Sequence, residues 1–320
     1  MNFLRMIVFC AFVFTSSGFG QEILDLPIHW KTGDSIKYEI VKSSQRMEDG
    51  RTMYEEESFS YLDIEVLSAG REGYLLAWTI DKVDLGMPLD LDNPNVKRSL
   101  ERLKNGGNGW RVIIQLDSTA AIIDVKNWRE LKESVTYVYD EMADVVTEEM
   151  KRRGEETSIV VELLEMTTSQ YRSREKIEEL FTEEAQIFFL LLGRRFPINE
   201  SVEYGKKLPK IFGLELFPKQ TEVTVKRVDH AYKQAVLTWK LSVDPEEAQK
   251  IIEDHFKLMA AQTGFFLYKG ELPETVTIKD EAEYLVDISS GWLERVDYKR
   301  YTIYDGNKEE ESIIIKKRYW

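Results

Sequence analysis

The residue types that most often carry catalysis are few and scattered in this sequence. The three histidines, His29, His230 and His255, lie far apart along the chain. There is no His-Glu-x-x-His pair, so the helical zinc-protease arrangement is absent, and no Gly-x-Ser-x-Gly turn could anchor a hydrolase triad. His255 falls on the apolar stripe of a predicted helix, where histidine more often belongs to the core than to a site. The sequence therefore predicts no catalytic residue, no metal ligand and no cofactor.

Carboxylates are the one abundant reactive group, with 57 Asp and Glu residues. With so many, any two could meet in the fold, and the carboxylate separation that defines a glycosidase does not show in sequence. A cell-envelope hydrolase that uses unidentified carboxylates is therefore kept as an alternative function. The net charge of −14 repels nucleic acid and anionic lipid headgroups, so we expect no nucleic-acid partner.

Two unusually apolar runs, 187–192 and 264–268, suggest a binding surface. They contain two pairs of consecutive phenylalanines: Phe188, Phe189, Phe265 and Phe266. Burial in the core is the simplest explanation, since a large apolar side chain gains about 1.5–3 kcal/mol from burial. Neighbouring residues on a helix point about 100° apart, however, so one helix face does not easily bury both members of a pair. We predict that at least one of the four lines an apolar groove or exposed patch, which makes them candidate ligand-binding residues.

The first twenty residues have the pattern of a cleaved signal peptide. Arg5 supplies the positive charge, the apolar run 6–14 is too short to span a bilayer, and small Gly18 and Gly20 precede a cleavage site before Gln21. Cleavage would remove Cys10, the only cysteine, and would leave a chain with no disulfide and no membrane-spanning run. We expect residues 1–20 to be a signal peptide and the protein to be exported, either periplasmic or extracellular.

Helical periodicity is strongest in the central block, residues 127–193. Its first half carries one apolar stripe with spacings of three to five residues: Trp128, Leu131, Val135, Val138, Met142, Val145 and Met150. Basic residues followed by Gly154 indicate the end of this helix. Ser173 or Thr182 could cap the helix that leads to the first phenylalanine pair.

Alternating sequence on both sides of this block predicts an N-terminal β module at 21–126 and a C-terminal β module with one helix at 194–320. Ile36, Tyr38 and Ile40 show the period of a half-buried strand, and Asp49-Gly50 predicts a hairpin turn. The sequence thus predicts an α+β fold of mostly antiparallel β-sheet in two related β modules, with helices packed on one face.

A similarity between two parts of the sequence is the reason for calling the modules related. Residues 73–80 and 234–241 share a pattern that places Trp78 and Trp239 at equivalent positions, and 34–38 resembles 200–204 at nearly the same offset. Two copies of one module would explain this. The residue types that β-hairpins generally share would explain the similarity equally.

The layout resembles a group of exported bacterial proteins of unknown function (DUF6263-like). The matching residues are Gly33-Asp34-Ser35-Ile36-Lys37-Tyr38, the run 196–202 that begins with Phe196-Pro197, and the run 284–291 that ends in Ser290-Gly291. The group's usual tryptophan after the second turn is replaced here by Tyr204. The resemblance implies export and a β-rich fold, and it implies no activity.

These observations favour an exported, non-catalytic protein that binds an apolar small molecule or another envelope protein. The carrier hypothesis rests on analogy, because curved antiparallel sheets with helices over the concave face often carry lipids. A structural or assembly component is a further alternative. A carrier needs a mainly apolar cavity, whereas an enzyme needs ionisable groups that converge in a cleft.

Overall fold

The structure, a computed structural model, describes residues 22–81, 110–154, 173–203, 218–250, 253, 275–305 and 307–319. The strands are β1 (Ile23–Asp25), β2 (Ser35–Glu48), β3 (Arg51–Gly70), β4 (Gly73–Ile80), β5 (Trp110–Leu116), β6 (Ile122–Val125), β7 (Arg195–Pro197), β8 (Ser201–Glu203), β9 (Pro218–Asp229), β10 (Gln234–Val243), β11 (Val276–Asp287), β12 (Leu293–Tyr304) and β13 (Asn307–Lys317). The long helices are α1 (Trp128–Arg153) and α2 (Arg174–Phe189), and residues 245–250 are also helical.

Eleven strands form one antiparallel sheet in the order β6-β5-β4-β3-β2-β13-β12-β11-β10-β9-β8, while β1 and β7 pair separately. The pairing of β2 with β13 joins the N-terminal and C-terminal strands. The predicted antiparallel, β-rich α+β fold is therefore confirmed, and its two β regions share one sheet. The relation between the two as copies of one module stays a prediction.

Alternation along the strands places one sheet face in the core. On β2 and β3 the buried residues are Tyr38, Ile40, Leu62, Ile64 and Val66, and the same period continues across the C-terminal strands. The predicted hairpin turn is also confirmed. Asp49 and Gly50 both have positive φ, 49° and 75°, which is the geometry of the tight turn that joins two twisted strands.

Both helix ends that the sequence marked are where predicted. Gly154, in the left-handed conformation, ends α1, and its N–H donates to the Lys151 and Met150 carbonyls. Ser173, not Thr182, caps α2, because its Oγ accepts from the Lys176 N–H at 3.2 Å. No helix in the described parts of the chain is both long and apolar enough to cross a bilayer.

The sheet is curved, and its concave face holds α2. Trp30 lies between Tyr74 on β4 and Trp292 just before β12, with ring centroids 5.3 and 4.3 Å away. In a flat sheet those two strands, four positions apart, would be separated by roughly 19 Å. One ring bridges them only because the sheet bends around its inner face.

Helix α2 crosses much of this concave face. Near its first turn Arg174 forms an ion pair with Asp124 on β6, and near its last turn the Ile187 carbonyl accepts from the Tyr284 hydroxyl of β11 at 3.0 Å. The helix therefore reaches strands from one edge region of the sheet to the far half.

The end of the sheet around Trp30 is densely packed, and we call it the closed end. A Cβ at Gly193 would lie 2.8 Å from the backbone of Thr119, and one at Gly291 would lie 2.4 Å from the Pro27 carbonyl oxygen. Both glycines also have positive φ, 70° and 75°, so backbone conformation and close approach together require glycine here.

Candidate functional site

The structure places Phe188 and Phe189 in the core, with exposed fractions of 0% and 2%. The Phe188 ring lies 5.1 Å from Tyr38 and 5.5 Å from Trp78 between centroids. The Phe189 ring lies 5.6 Å from Trp78 and 6.0 Å from Trp30. Both rings pack edge-on or tilted against their neighbours, in the geometry that aromatic pairs favour.

Phe188 and Phe189 therefore do not lie in an exposed patch. The prediction that at least one of the four candidates lines a groove or patch stays a prediction, because the structure describes only these two. The second apolar surface that the pair requires exists, but it is internal. Phe188 faces the sheet, and Phe189 turns toward Trp30, which the N-terminal segment folds over the end of α2. The other two candidates, Phe265 and Phe266, lie outside the described residues.

A group of ionisable side chains lies farther from the closed end on the same concave face. We call it the inner polar cluster, and its members are Lys42, Glu183, Glu184, Asp280, Tyr298 and Arg300. Strand alternation and register explain the convergence. Arg300 follows Tyr298 in the inward phase of β12 and stands directly opposite Asp280 of β11.

The Asp280–Arg300 pair is a fully engaged buried ion pair. The Arg300 Nε donates to Asp280 Oδ1 at 2.9 Å, and Nη2 donates to Oδ2 at 2.8 Å. The Tyr298 hydroxyl donates to Asp280 Oδ2 at 2.8 Å. The exposed fractions are 0% for Asp280, 5% for Tyr298 and 7% for Arg300. Such bidentate, charge-assisted geometry is what keeps buried charges tolerable.

The protonation preferences follow from these contacts. Burial raises the pKa of the Tyr298 hydroxyl well above its ordinary value, and the Asp280 charge raises it further, so Tyr298 stays neutral and donates. Burial alone would lower the pKa of Arg300, but the hydrogen bonds and charge of Asp280 outweigh it and raise the pKa. Asp280, Tyr298 and Arg300 therefore form a fixed unit, in which a neutral hydroxyl donor and an ion pair hold one another in place. Such a unit suits a positioning role.

Lys42 and the two consecutive glutamates of α2 form the other half of the cluster. Lys42 Nζ lies 2.5 Å from Glu184 Oε1 and 3.6 Å from Glu183 Oε2. The Glu184 side chain is 9% exposed, whereas those of Lys42 and Glu183 are 28% and 46% exposed. This half of the cluster is reachable by solvent, so a ligand group could contact it.

Glu183 has an unusual combination of properties. Burial raises the pKa of its carboxyl and the charge of Glu184 raises it further, while Lys42 and Arg300 oppose the shift. Its side chain nevertheless keeps nearly half of its accessible surface. A carboxyl on the wall of a concave, solvent-reachable hollow has both properties, because protein surrounds it on several sides but does not cover it.

More polar residues continue along the same phase of the strands, beyond the cluster. Arg46 follows Lys42 on β2, and it faces Glu309, with 3.9 Å between Arg46 Nε and Glu309 Oε1. Glu311 stands opposite Ser44 and is exposed. The inner face therefore changes from aromatic at the closed end to charged toward the β2–β3 turn.

Sequence reasoning did not find this cluster, although a signal was present. Asp280 and Arg300 occupy the buried phase of strands whose other inward positions are apolar, and a charge in that phase demands a partner. The register that pairs them depends on a turn at 288–292, so the partner could not be named without the fold.

The two histidines among the described residues, His29 and His230, do not contribute to the cluster. His29 is exposed near the closed end, and His230 is exposed in the β9–β10 turn with Glu22 3.9 Å away. His255 lies outside the described residues. In the described ranges, no three His, Cys, Asp or Glu side chains converge as a metal ion requires.

No protein-family model matches the chain, and no curated protein matches it. The resemblance to DUF6263-like exported proteins thus stays a prediction, and function is argued from the site alone.

Proposed function

We propose that this is an exported, non-catalytic binding protein that holds an amphipathic ligand against the concave face of its sheet. The observation that carries the proposal is the change of lining along one curved face. The aromatic side chains of the closed end are buried against one another, and reachable charged side chains of the inner polar cluster lie next along the same strands, beside the half-buried Leu180 of α2. Ligand sites typically combine an apolar wall with a few convergent polar groups.

The balance of charged residues on the inner face indicates the charge of the ligand's head group. The reachable inward residues carry two cations, Lys42 and Arg46, against the carboxylates of Glu183, Glu309 and Glu311, with Glu184 behind Lys42. Carboxylates are in excess, so a positively charged head group is favoured. The apolar part would lie beside α2, where Leu180 is half-buried one turn before the glutamates.

The test is displacement of a neutral environment-sensitive dye, Nile red, from the purified mature protein. Dodecyltrimethylammonium, kept below its micelle concentration, should displace the dye at a concentration about tenfold lower than dodecyl sulfate does. Glu183→Gln should reduce this preference, because it removes a reachable carboxylate beside Lys42. Glu72→Gln, at an exposed turn near the closed end, is the matched control and should change nothing. A protein that binds no dye, or that shows no head-group preference, contradicts the proposal.

Export is part of the same proposal, and its support is the sequence of residues 1–20. The mature chain should begin near Gln21. Amino-terminal sequencing of protein recovered from the envelope or the medium checks this, and a retained Met1 would contradict it.

One observation favours the hydrolase alternative, namely a carboxyl of raised pKa beside a second carboxylate. A general acid of this kind would make Glu183→Gln lose turnover while ligand affinity is kept. The carrier proposal expects the opposite, a loss of head-group preference with no turnover by the wild type to lose.

A further inference from the structure

The two halves of the inner polar cluster differ in how completely their carboxylates are used. Both Asp280 oxygens are occupied, because Oδ1 accepts from Arg300 Nε while Oδ2 accepts from Arg300 Nη2 and from the Tyr298 hydroxyl. This half holds one positive charge, one negative charge and a neutral donor, so its charges are already balanced. A charged group of a ligand has nothing to compensate at Asp280.

The other half is one positive charge short. Lys42 is the one described cation that forms an ion pair with Glu183 or Glu184, and its Nζ lies 2.5 Å from Glu184 Oε1 but 3.6 Å from Glu183 Oε2. The closer contact goes to the more buried side chain, since Glu184 is 9% exposed and Glu183 is 46% exposed. Among the described residues, no group donates a hydrogen bond to Glu183. The reachable carboxylate therefore keeps unused acceptor positions.

The surroundings of Glu183 do not supply the second positive charge. The described ionisable groups that face it are Glu184 of α2, Lys42 of β2, Glu311 of β13, and Arg300 and Tyr298 of β12. Arg300 is bound to Asp280 of β11, and Glu311, which stands opposite Arg300, adds a further carboxylate. A cation brought by a ligand would lower the repulsion among these carboxylates.

The contact that Lys42 makes indicates which kind of cation the two glutamates accept. Its primary ammonium, a group with three N–H donors, lies within ion-pair distance of both carboxylates. A quaternary ammonium has no N–H and binds instead over open aromatic faces. Tyr298, the aromatic member of the cluster, is 5% exposed, and its ring centroid lies 5.9 Å from Arg300 Cζ. The described part of the hollow thus offers acceptors for a primary ammonium and no open ring for a quaternary one.

We propose that the head group of the ligand is a primary ammonium, which donates hydrogen bonds to Glu183 and takes the place of a proton on its carboxyl. This inference rests on the proposed function, because it requires the concave face to hold an amphipathic ligand. The exchange is balanced: the carboxyl releases one proton to solvent, and the ammonium keeps all of its own. Burial and the charge of Glu184 raise the pKa of Glu183, so the proton competes with the ammonium above the ordinary pH range of a glutamate.

The first experiment compares two cations that differ in their N–H donors but share charge and chain length. Dodecylammonium and dodecyltrimethylammonium, both below their micelle concentrations, are used to displace Nile red from the mature protein at pH 8. Dodecylammonium should act at an about tenfold lower concentration, because only it can form charge-assisted hydrogen bonds. Glu183→Gln should remove this difference, and the control Glu72→Gln, at an exposed turn, should keep it.

The second experiment measures the proton. Affinity for dodecylammonium should fall as the pH is lowered from 8 to 5, because the protonated Glu183 carboxyl is neutral while the alkylammonium stays charged throughout. Calorimetric titrations at pH 6, in two buffers with different heats of ionisation, should show that binding releases protons from the wild type. Glu183→Gln should release clearly fewer protons and should show a flatter pH profile.

A variant of Lys42 distinguishes a competing cation from a cation that holds the ligand. Lys42→Met leaves both glutamates without their ammonium, so dodecylammonium should bind several-fold more tightly. Weaker binding would show that Lys42 itself holds the head group, and it would overturn the inference.

Two results with the wild type would also overturn it: equal displacement by the two ammonium ions, or binding without proton release. Either result, with both cations still preferred over dodecyl sulfate, would leave the proposed function standing. A protein that binds none of these amphiphiles would overturn both.

Discussion

Toward the closed end, the inner face of the sheet carries Tyr38 and Trp78, which pack against Phe188 of α2, whereas inward positions farther along the strands carry Lys42 and Arg300. The change takes two residues on each strand, from Ile40 to Lys42 on β2 and from Val296 to Tyr298, the first cluster member, on β12. The two halves therefore differ in the chemistry of the side chains that the same strands present.

Folding stability explains the aromatic half of the inner face but not the charged half. Apolar burial is the dominant favourable contribution to folding, and the aromatic half supplies it. A buried ion pair adds little net stability, because desolvation offsets much of the attraction. The charged half is therefore better explained by what it positions than by the folding free energy that it contributes.

The largest expected effect tests the aromatic half. Trp78→Ala should lower the free energy of unfolding by about 3–5 kcal/mol, because Trp78 is fully buried and touches both Phe188 and Phe189. Trp239→Ala should lower the free energy of unfolding by a similar amount, since Trp239 is 1% exposed on β10, whose sequence resembles that of β4. Denaturant unfolding measures both.

Phenylalanine is the control at both positions. Neither indole Nε1 has a hydrogen-bond partner, so Trp→Phe loses packing but no hydrogen bond and should cost clearly less than Trp→Ala. If Trp78→Ala cost less than about 1 kcal/mol, the aromatic half would not be the stabilising half.

The next effect tests the charged half. Asp280→Asn leaves Arg300 buried without its counter-charge and should cost about 1.5–3 kcal/mol. The double variant Asp280→Leu with Arg300→Met should cost less than the single variant, since removing both charges also removes their desolvation. A double variant worse than the single one would show that the ion pair itself stabilises the fold.

A smaller, pH-dependent effect should appear at Glu183. Its pKa is raised in the folded protein, mainly by burial, so the folded state holds the proton to higher pH than the unfolded chain does. Stability from this group is complete below the ordinary glutamate pKa and is lost as pH rises through the folded pKa. Glu183→Gln should remove that decline, and unfolding curves from pH 4 to pH 8 would show it. Parallel pH profiles would mean that the carboxyl is effectively solvated.

How much the sequence predicted depended on whether the signal was local. The turn at Asp49-Gly50, the αL end at Gly154 and the strand alternation around Tyr38 are local, and each was predicted correctly. Helix geometry indicated that the phenylalanine pair needs two apolar surfaces. The surface over Phe189 includes Trp30, more than 150 positions away in sequence, and no local pattern could identify it. The periodicity of a helix shows which residues share a face, but it does not show which distant segment packs over that face.

The inner polar cluster could not be predicted for the same reason. The alternation of buried and exposed residues along the strands identifies Asp280 and Arg300 as charges in buried positions. Predicting that they pair requires the register of β11 against β12. Lys42 meets Glu183 and Glu184 only because the sheet curves around α2. The one continuous sheet likewise depends on β2 and β13 meeting from opposite ends of the chain.

The smallest expected effect concerns His29 and His230, which lie outside both halves of the inner face. His230 is exposed in a turn, and its only described ionic neighbour is Glu22 at 3.9 Å, so His230→Asn should change the free energy of unfolding by no more than about 0.5 kcal/mol. His29→Asn should be equally mild, because the backbone N–H of His29, not its side chain, donates to Ser290. Ligand binding should be unchanged in the double variant. A double variant that keeps its unfolding curve but loses ligand binding would move the functional site away from the inner polar cluster, toward the turns where these two residues lie.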